Sequence, residues 1–304
     1  MRYSDYKFDV PGEKLIRVIV DTDAKNEADD QFAIVQALLS PRFENQGFIA
    51  AHFGNRNCCD SMLRSYRELE KIFDLMGFDK TDMLYKGAET ALADRTSPNE
   101  SEGSELIIRE ALKEDERPLY VLFLGAITDL ASAYLKQPRI AGRLTAIWIG
   151  GGAYPNGGQE FNLGNDINAA NVVFQSPIEL WQVPKNVYEM MNVSLAELEL
   201  KVRPCGAIGE YLCDQLNAHA HEEGPRKSSF RSGETWVLGD NPAVGLLLGE
   251  QRFRFDWVPA PLISADMTYV HTGLNRPVRV YNSIDSRVIL EDMFAKLKLF
   301  ASKH

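Results

Sequence analysis

The sequence predicts an α/β protein with an open, mostly parallel, Rossmann-like sheet and helices on both faces. Short apolar runs alternate with helical segments up to residue 186, and strands that alternate with helices form parallel sheets through right-handed crossovers. Acidic and amide residues follow the apolar runs, as expected at the carboxyl edge of such a sheet. Because no linker divides the chain, we expect a single domain over residues 1–304 with a helical insertion after residue 186.

The individual elements follow from apolar periodicity and turn residues. The predicted strands are KLIRVIVDTD, FIAAHFGN, PLYVLFLG, LTAIWIGGG and IELWQVP. The predicted helices between them are DDQFAIVQALLS, DSMLRSYRELEKIFDLMGF, TDLASAYLKQP and DINAANVVFQ. Beyond residue 186 the pattern is mostly helical to about Gly224, and residues 219–236 predict a polar loop. NPAVGLLLGE then predicts a helix, and RPVRVYNSID an edge strand before the last helix.

Composition limits the partners and the compartment. The net charge of −10 disfavours nucleic acid and anionic membranes as partners, because no basic patch offsets the repulsion. No apolar run approaches the roughly 18 residues that span a bilayer. The polar N-terminus lacks the apolar stretch of a secretory signal, and the four cysteines show no zinc spacing. We therefore expect a cytoplasmic protein with reduced thiols.

Polar residues after the predicted strands predict a ligand site, because the carboxyl ends of parallel strands lie at one edge of the sheet. They are Asp21, Asp23, Asn26, Glu27, Asp29, Asp30, Gly54, Asn55, Asn57, Thr128, Asn156, Glu160 and Asn162, with Asp240 before a later helix. Lysine and arginine are almost absent from this set. Carboxylates and amides suit a hard cation, Mg²⁺ or Ca²⁺, together with a neutral polyhydroxylated ligand.

Helix capping is the ordinary explanation for such aspartates, and it accounts for Asp29 or Asp30. It does not account for Asp21 and Asp23 at the end of an apolar strand, where an unpaired charge is costly to desolvate. His52 lies inside an apolar run and is expected to be a core residue. The interpretation as a metal site therefore rests on the joint arrangement.

That arrangement resembles the inosine-uridine-preferring nucleoside hydrolase family, the metal-dependent N-ribohydrolases. The matching motifs are DTDAKNEADD after the first strand, GN at 54–55, LGAITDLA at 124–131, EFNLGNDINAA at 160–170 and GDNPA at 239–243. The resemblance implies hydrolysis of the N-glycosidic bond of a ribonucleoside or related riboside, with a role in purine or pyrimidine salvage. It also implies a Ca²⁺ cofactor, with Mg²⁺ less favoured, and a homodimer or homotetramer.

The same resemblance implies roles for single residues. Asp23 is both a Ca²⁺ ligand and the general base for water, and Asp21 supports it from behind. The other implied metal ligands are Asp30, the Leu124 carbonyl and Asp240. The residues implied to bind the ribose are Asp29, Asn55, Asn156, Glu160 and Asn162.

Two departures from the family pattern bear on the substrate. Five residues, AKNEA, separate Asp23 from the aspartate pair where three are commoner, which brings Asn26 or Glu27 towards the sugar. Gly239 stands where many members carry a histidine that protonates the leaving base. The candidates to activate the leaving group are then Trp236, His219 and His221.

Two other classes of function remain open at this point. A riboside-binding or regulatory protein that keeps the metal and ribose site with little or no catalysis would explain Gly239. A HAD-type phosphatase with Asp21 as nucleophile and Asp23 as acid is less favoured. Its motif requires Thr or Val two residues after the second aspartate, where this chain has Lys25.

Overall fold

The computed structural model describes residues 1–54, 59–222, 233–249 and 253–303. Its strands are β1 (Ile16–Thr22), β2 (Phe43–Ala50), β3 (Leu84–Lys86), β4 (Leu119–Phe123), β5 (Thr145–Ile149), β6 (Glu179–Val183), β7 (Asn192–Ser194), β8 (Thr235–Val237), β9 (Phe255–Pro259), β10 (Leu262–Ile263), β11 (Tyr269–Val270) and β12 (Pro277–Tyr281). Its α-helices are α1 (Asp30–Leu38), α2 (Ser61–Met76), α3 (Glu102–Leu112), α4 (Thr128–Lys136), α5 (Phe161–Asn165), α6 (Ile167–Gln175), α7 (Lys185–Tyr188), α8 (Leu195–Lys201), α9 (Gly206–Glu222), α10 (Asn241–Gly245) and α11 (Ser286–Ala301).

Eight strands form one sheet in the order β3-β2-β1-β4-β5-β6-β12-β9. Every neighbouring pair is parallel except β12 and β9, which are antiparallel. This confirms the predicted mostly parallel α/β fold. The chain moves outward from β1 to β3 on one side, and then returns to place β4 beside β1. The carboxyl ends of β1 and β4 therefore lie at the switch point where such sheets bind ligands.

The sheet separates two apolar cores because successive side chains of a strand point to opposite faces. In β1, Val18 and Val20 pack in the core under α1, α2, α9 and α11. Ile19, between them, packs in the core under α3, α4 and α6. Both faces of β1 are fully buried, which explains why its sequence is a continuous apolar run rather than an alternating one.

The prediction of β12 as an edge strand is wrong. β12 lies between β6 and β9, and β9 forms the edge on this side of the sheet. The Arg279 guanidinium of β12 lies over the Trp181 ring at 4.0 Å and the Phe255 ring at 4.3 Å, and such cation–π contacts make a half-buried arginine tolerable inside a sheet.

Other boundaries also differ from the prediction. β2 begins five residues before the predicted FIAAHFGN and ends at Ala50, so His52 lies beyond the strand. His52 is a buried core residue as expected, and its Nε2 lies 2.9 Å from Thr128 Oγ1. His219 and His221 were predicted in a loop, but both belong to the last turn of α9.

Several short elements were not predicted. β3 has three residues, and β9 is exposed along most of its length, so neither shows an apolar pattern. α3 does carry a recognisable start, because Ser101 caps it by accepting a hydrogen bond from the Ser104 backbone N–H. Among the described helices, none has the length and apolar character needed to cross a bilayer.

Candidate active site

A small cavity lies at the carboxyl ends of β1, β4 and β5, next to the start of α10. Its innermost space is about 30 Å³, enough for an ion or one to two waters, and with the open space in front of it the site has about 340 Å³. It brings together residues more than two hundred positions apart in the chain. The lining residues are Asp23, Asn26, Glu27, Asp29, Asp30, Leu124, Ile149, Glu160, Phe161, Asn162, Tyr188, Gly239 and Asp240.

Three carboxylates form a cluster in this cavity. Asp29, Asp30 and Asp240 each offer an oxygen, and these oxygens lie within 4.8 Å of one another. Asp30 accepts a short hydrogen bond from the Thr22 hydroxyl, and Asp29 accepts one from the Gly239 backbone N–H at 3.0 Å. Oxygen-only clusters of this kind can hold a hard cation. The cluster includes Asp29, which the resemblance assigned to the sugar rather than to the metal.

Asp23 lines the same cavity but is not part of the three-carboxylate cluster. Its side chain is buried, and its Oδ2 has no hydrogen-bond partner among the described residues. Asp21 is also buried without a side-chain partner in that part of the chain, but it does not line the cavity. Because Asp21 lies on the same face of β1 as Ile19, its charge faces Asp129 on α4 instead.

Burial raises the pKa values of all four cavity aspartates, and the charges of neighbouring aspartates raise those of Asp23, Asp30 and Asp240 further. The pKa of Asp23 and that of Asp240 lie well above the usual range, chiefly because of desolvation. Burial raises the pKa of Asp29 to about 6 and that of Asp30 to about 7. Ionised carboxylates at this spacing require a compensating positive charge. Among the described residues that line the cavity there is no lysine or arginine, so a cation fits these carboxylates.

Glu160 and Asn162 form the wall between β4 and β5. Glu160 caps α5, accepting hydrogen bonds from the backbone N–H groups of Asn162 and Leu163. The Asn162 side-chain amide donates to the carbonyls of Leu124 at 2.6 Å and Ile149 at 2.9 Å. This clamp holds the Leu124 carbonyl at the cavity. A carbonyl oxygen has two lone pairs, so it can accept this bond and still face a cation.

The AKNEA segment is packed at both ends and open in the middle. Ala24 and Ala28 are buried. The Ala24 carbonyl accepts a hydrogen bond from Gln31 at 2.5 Å, and the Ala28 carbonyl accepts one from Gln215 of α9 at 2.8 Å. Between these anchors, the cavity is lined by Asn26 and Glu27. The two extra residues therefore add polar groups to the site rather than a loop directed away from it.

Four of the predicted side chains do not reach the cavity. Asn156 is exposed, and its carbonyl accepts a hydrogen bond from the Tyr269 backbone N–H. Trp236 is buried in β8, with its ring 5.9 Å from that of His219. His219 lines an adjoining groove between α2 and α9, which shares Glu27 with the cavity, and His221 is exposed. Two further predicted residues, Asn55 and Asn57, lie outside the described residues.

Tyr188, Phe161 and Ile149 line the cavity but were not predicted. Tyr188 follows β6 as the predicted residues follow β1 and β5. Inspecting the residues after the last predicted parallel strand would have found it. Phe161 and Ile149 carry no polar signal, so only the fold shows that they face the cavity.

Gly125 allows Asp23 to occupy its position. A Cβ built on Gly125 would lie 2.8 Å from Asp23 Cγ and 2.8 Å from its Oδ1. We therefore expect Gly125→Ala to displace Asp23 and to lower the turnover of a substrate hydrolysed at this site by about 10- to 100-fold. Gly12→Ala is the matched control, because a Cβ there meets nothing within 4 Å. Equal turnover by both variants in a steady-state assay would show that the position of Asp23 does not matter.

The fold and the cavity together define a class of protein: an α/β protein with a carboxylate cluster, able to hold a metal ion, at the switch point of a mostly parallel sheet. The chain belongs to the inosine-uridine preferring nucleoside hydrolase family, whose model matches residues 18–290. This is an enzyme family, and the expected family membership is confirmed.

Relatives from plants support the assignment. A probable uridine nucleosidase 2 of Oryza sativa subsp. japonica is 27% identical over 300 residues, which cover 88% of this chain and 84% of the relative. The uridine nucleosidase 1 of Arabidopsis thaliana is 28% identical over 204 residues, 59% of each chain.

Solved structures share the fold. The purine-preferring ribonucleoside hydrolase from Gardnerella vaginalis superposes with a TM-score of 0.76 at 19% identity, covering 95% of this chain and 100% of that chain. The inosine-uridine preferring nucleoside hydrolase from Bacillus anthracis gives a TM-score of 0.67 at 16% identity, covering 93% and 99%. At these identities the likeness is one of fold.

Proposed function

We propose that this protein hydrolyses the N-glycosidic bond of ribonucleosides in the carboxylate-lined cavity, releasing free base and ribose. The observation that carries the proposal is the convergence of Asp23, Asp29, Asp30 and Asp240 with the polar groups of Asn26, Glu27 and Asn162 around one cavity. The site combines a place for a cation with donors and acceptors for sugar hydroxyls. Family membership supports ribonucleosides as the substrate class.

The residues proposed to hold Ca²⁺ are Asp23, Asp30, Asp240 and the Leu124 carbonyl, with Asp29 close enough to share the charge. When bound, Ca²⁺ would offset the repulsion among the carboxylates, make a nearby water more acidic and hold sugar hydroxyls. Mg²⁺ is less favoured, because it requires a regular octahedral shell.

Asp23 is the proposed general base. Its Oδ2 is buried without a protein donor among the described residues, so this oxygen can accept a proton from a water in the cavity. Asp23 takes a proton from water as the water oxygen bonds to the anomeric carbon. The bond from that carbon to the base nitrogen breaks, its electron pair leaves with the base, and the base then gains a proton.

The remaining carboxylates act on the transition state. Cleavage of a glycosidic bond develops positive charge on the sugar ring. Asp29 and Glu27 both line the cavity, so their negative charges stabilise a cationic ring held there. Because Gly239 has no side chain, position 239 offers no proton to the base. We therefore expect bases that leave readily as anions to react fastest.

A nucleoside panel tests the proposed activity. Purified protein with Ca²⁺ is incubated with purine and pyrimidine ribonucleosides and with their 2′-deoxy counterparts, and free base is measured by chromatography. We expect at least one ribonucleoside to release base in equal amount to ribose, and its 2′-deoxy form to react at least about tenfold more slowly, because a sugar hydroxyl contact is lost. Absence of base release from the whole panel would contradict the proposal.

A further inference from the structure

The carboxylate of Glu160 is fully engaged by protein donors. Its Oε2 accepts hydrogen bonds from the backbone N–H groups of Gly151 at 2.7 Å and Leu163 at 2.8 Å. Its Oε1 accepts one from the Asn162 backbone N–H at 3.1 Å and one from the Tyr188 hydroxyl at 2.9 Å. A carboxylate has about four lone-pair directions. A sugar hydroxyl can therefore bond to Glu160 only by displacing one of these four donors.

Of these four donors, three are backbone N–H groups and the fourth is the side-chain hydroxyl of Tyr188, which lines the cavity. It is only 4% exposed, and its ring passes beside Gly239. A Cβ on Gly239 would lie 3.2 Å from Tyr188 Cδ2, so the ring occupies the space that a side chain at position 239 would fill. Tyr188 thus spans the cavity from Gly239 to Glu160.

The phenol of Tyr188 stays protonated. Burial and the neighbouring charge of Glu160 raise the pKa of Tyr188 far above its ordinary value. Its proton is directed at Glu160 Oε1. A hydroxyl that donates to a carboxylate becomes a stronger acceptor at its own oxygen, because hydrogen bonds in a chain polarise one another.

We propose that Tyr188 is a specificity-determining residue that contacts the substrate: its phenol oxygen accepts a hydrogen bond from one sugar hydroxyl while its own O–H continues to donate to Glu160. The inference rests on the proposed function and names the part of the site that recognises the sugar. Glu160 orients the Tyr188 hydroxyl and caps α5. The ligand class is a sugar ring that carries a hydroxyl group at the carbon facing Tyr188.

The test is a double-mutant cycle that combines the Tyr188→Phe substitution with removal of single hydroxyls from the substrate. kcat and KM are measured for one ribonucleoside and for its 2′-, 3′- and 5′-deoxy forms. We expect Tyr188→Phe to lower kcat/KM for the ribonucleoside by about 3- to 15-fold, the usual effect of one lost hydrogen bond. For one of the three deoxy forms the substitution should cost less than about twofold, because the bond is already absent.

Two results would overturn the proposal. If Tyr188→Phe costs the same factor with all four substrates, or nothing with any, Tyr188 touches no sugar hydroxyl. If Tyr188→Phe raises kcat/KM, the released Glu160 binds the hydroxyl itself and Tyr188 only obstructs it. Tyr211→Phe is the matched control, because Tyr211 also donates to a glutamate, Glu68, but lies outside the cavity. It should change kcat/KM by less than about twofold for every substrate.

A binding measurement separates this inference from the proposed activity. Calorimetry with Ca²⁺ compares the Kd of D-ribose with those of 2-, 3- and 5-deoxyribose for wild type and Tyr188→Phe. Selective weakening by Tyr188→Phe without base release by wild type would support the contact and contradict hydrolysis. Base release by wild type with no selective effect of Tyr188→Phe would contradict the contact alone. Failure of wild type to bind ribose or to release base would contradict both.

Discussion

Asp23→Asn should abolish turnover while leaving the fold intact. The amide is nearly the same size as the carboxylate but cannot accept the proton of the attacking water. Loss of a general base typically lowers kcat by about 10²- to 10⁴-fold. The measurement is kcat for base release at saturating Ca²⁺ and substrate, with circular dichroism and Tm to establish that the variant is folded.

Asp21→Asn is the control for this experiment. Asp21 is also buried, lies two residues from Asp23 and has no side-chain partner in the described chain, but it does not line the cavity. Its substitution should leave kcat within about tenfold of wild type, because Asp21 does not line the cavity. Turnover by Asp23→Asn at a comparable level would contradict the role of Asp23 as the base.

Asp30→Asn should stabilise the metal-free protein at pH 8 and remove the stabilisation given by Ca²⁺. The pKa of Asp30 is raised from 3.8 to about 7 by burial and by the charge of Asp29. Because the folded state without a cation holds this proton more tightly than the unfolded state, its stability is greatest below about pH 4 and falls as the pH rises towards 7. Substitution by asparagine removes this loss in the free energy of unfolding, which is about 1–3 kcal/mol at pH 8, and it has little effect at pH 4.

Thermal unfolding at both pH values, with EDTA and with Ca²⁺, measures this prediction. Wild type should gain Tm on addition of Ca²⁺ at pH 8, since a ligand that binds only the folded state stabilises it by about 2.7 kcal/mol at 100 times its Kd. The Asp30→Asn variant should gain much less. Asp74→Asn, an exposed position bonded to Lys80, should behave as wild type. A metal-free Asp30→Asn protein that is less stable than wild type at pH 8 would show that protein donors, rather than a cation, satisfy Asp30.

The sequence was sufficient to predict the fold and the acidic part of the cavity. Asp23 could be predicted because an apolar strand rarely ends in unpaired charges without a ligand. Asp30 and Asp240 could be placed with it by resemblance, and in the structure both line the same cavity. In a parallel sheet the carboxyl ends of the strands lie at one edge, so polar residues that follow different strands come together even when they are far apart in the chain.

The remaining placements depend on tertiary packing that no local pattern encodes. The position of Tyr188 after a predicted strand places it near the cavity, but only the sheet order shows that its hydroxyl meets Glu160. Trp236 and His219 are near the predicted motif in the chain, but β8 pairs with β7 and carries Trp236 away from the cavity. Asn156 faces solvent because its loop is held by the backbone of Tyr269.

The alternative function is that of a protein that binds ribosides at this site without hydrolysing them. Gly239 favours that alternative, because position 239 offers no side-chain acid to the leaving base. The carboxylates favour hydrolysis, because a ring that merely binds requires neither a buried base at Asp23 nor several negative charges around it.

The most direct test of the central claim is base release by metal-stripped protein as Ca²⁺ is returned. The protein is treated with EDTA and dialysed, and the rate of base release from the best ribonucleoside is followed as Ca²⁺ is titrated in. We expect no release without metal, and a rate that rises with Ca²⁺ to a plateau at one ion per chain. Base release at an unchanged rate in EDTA, or Ca²⁺-dependent binding of ribose with no release at any Ca²⁺ concentration, would contradict it.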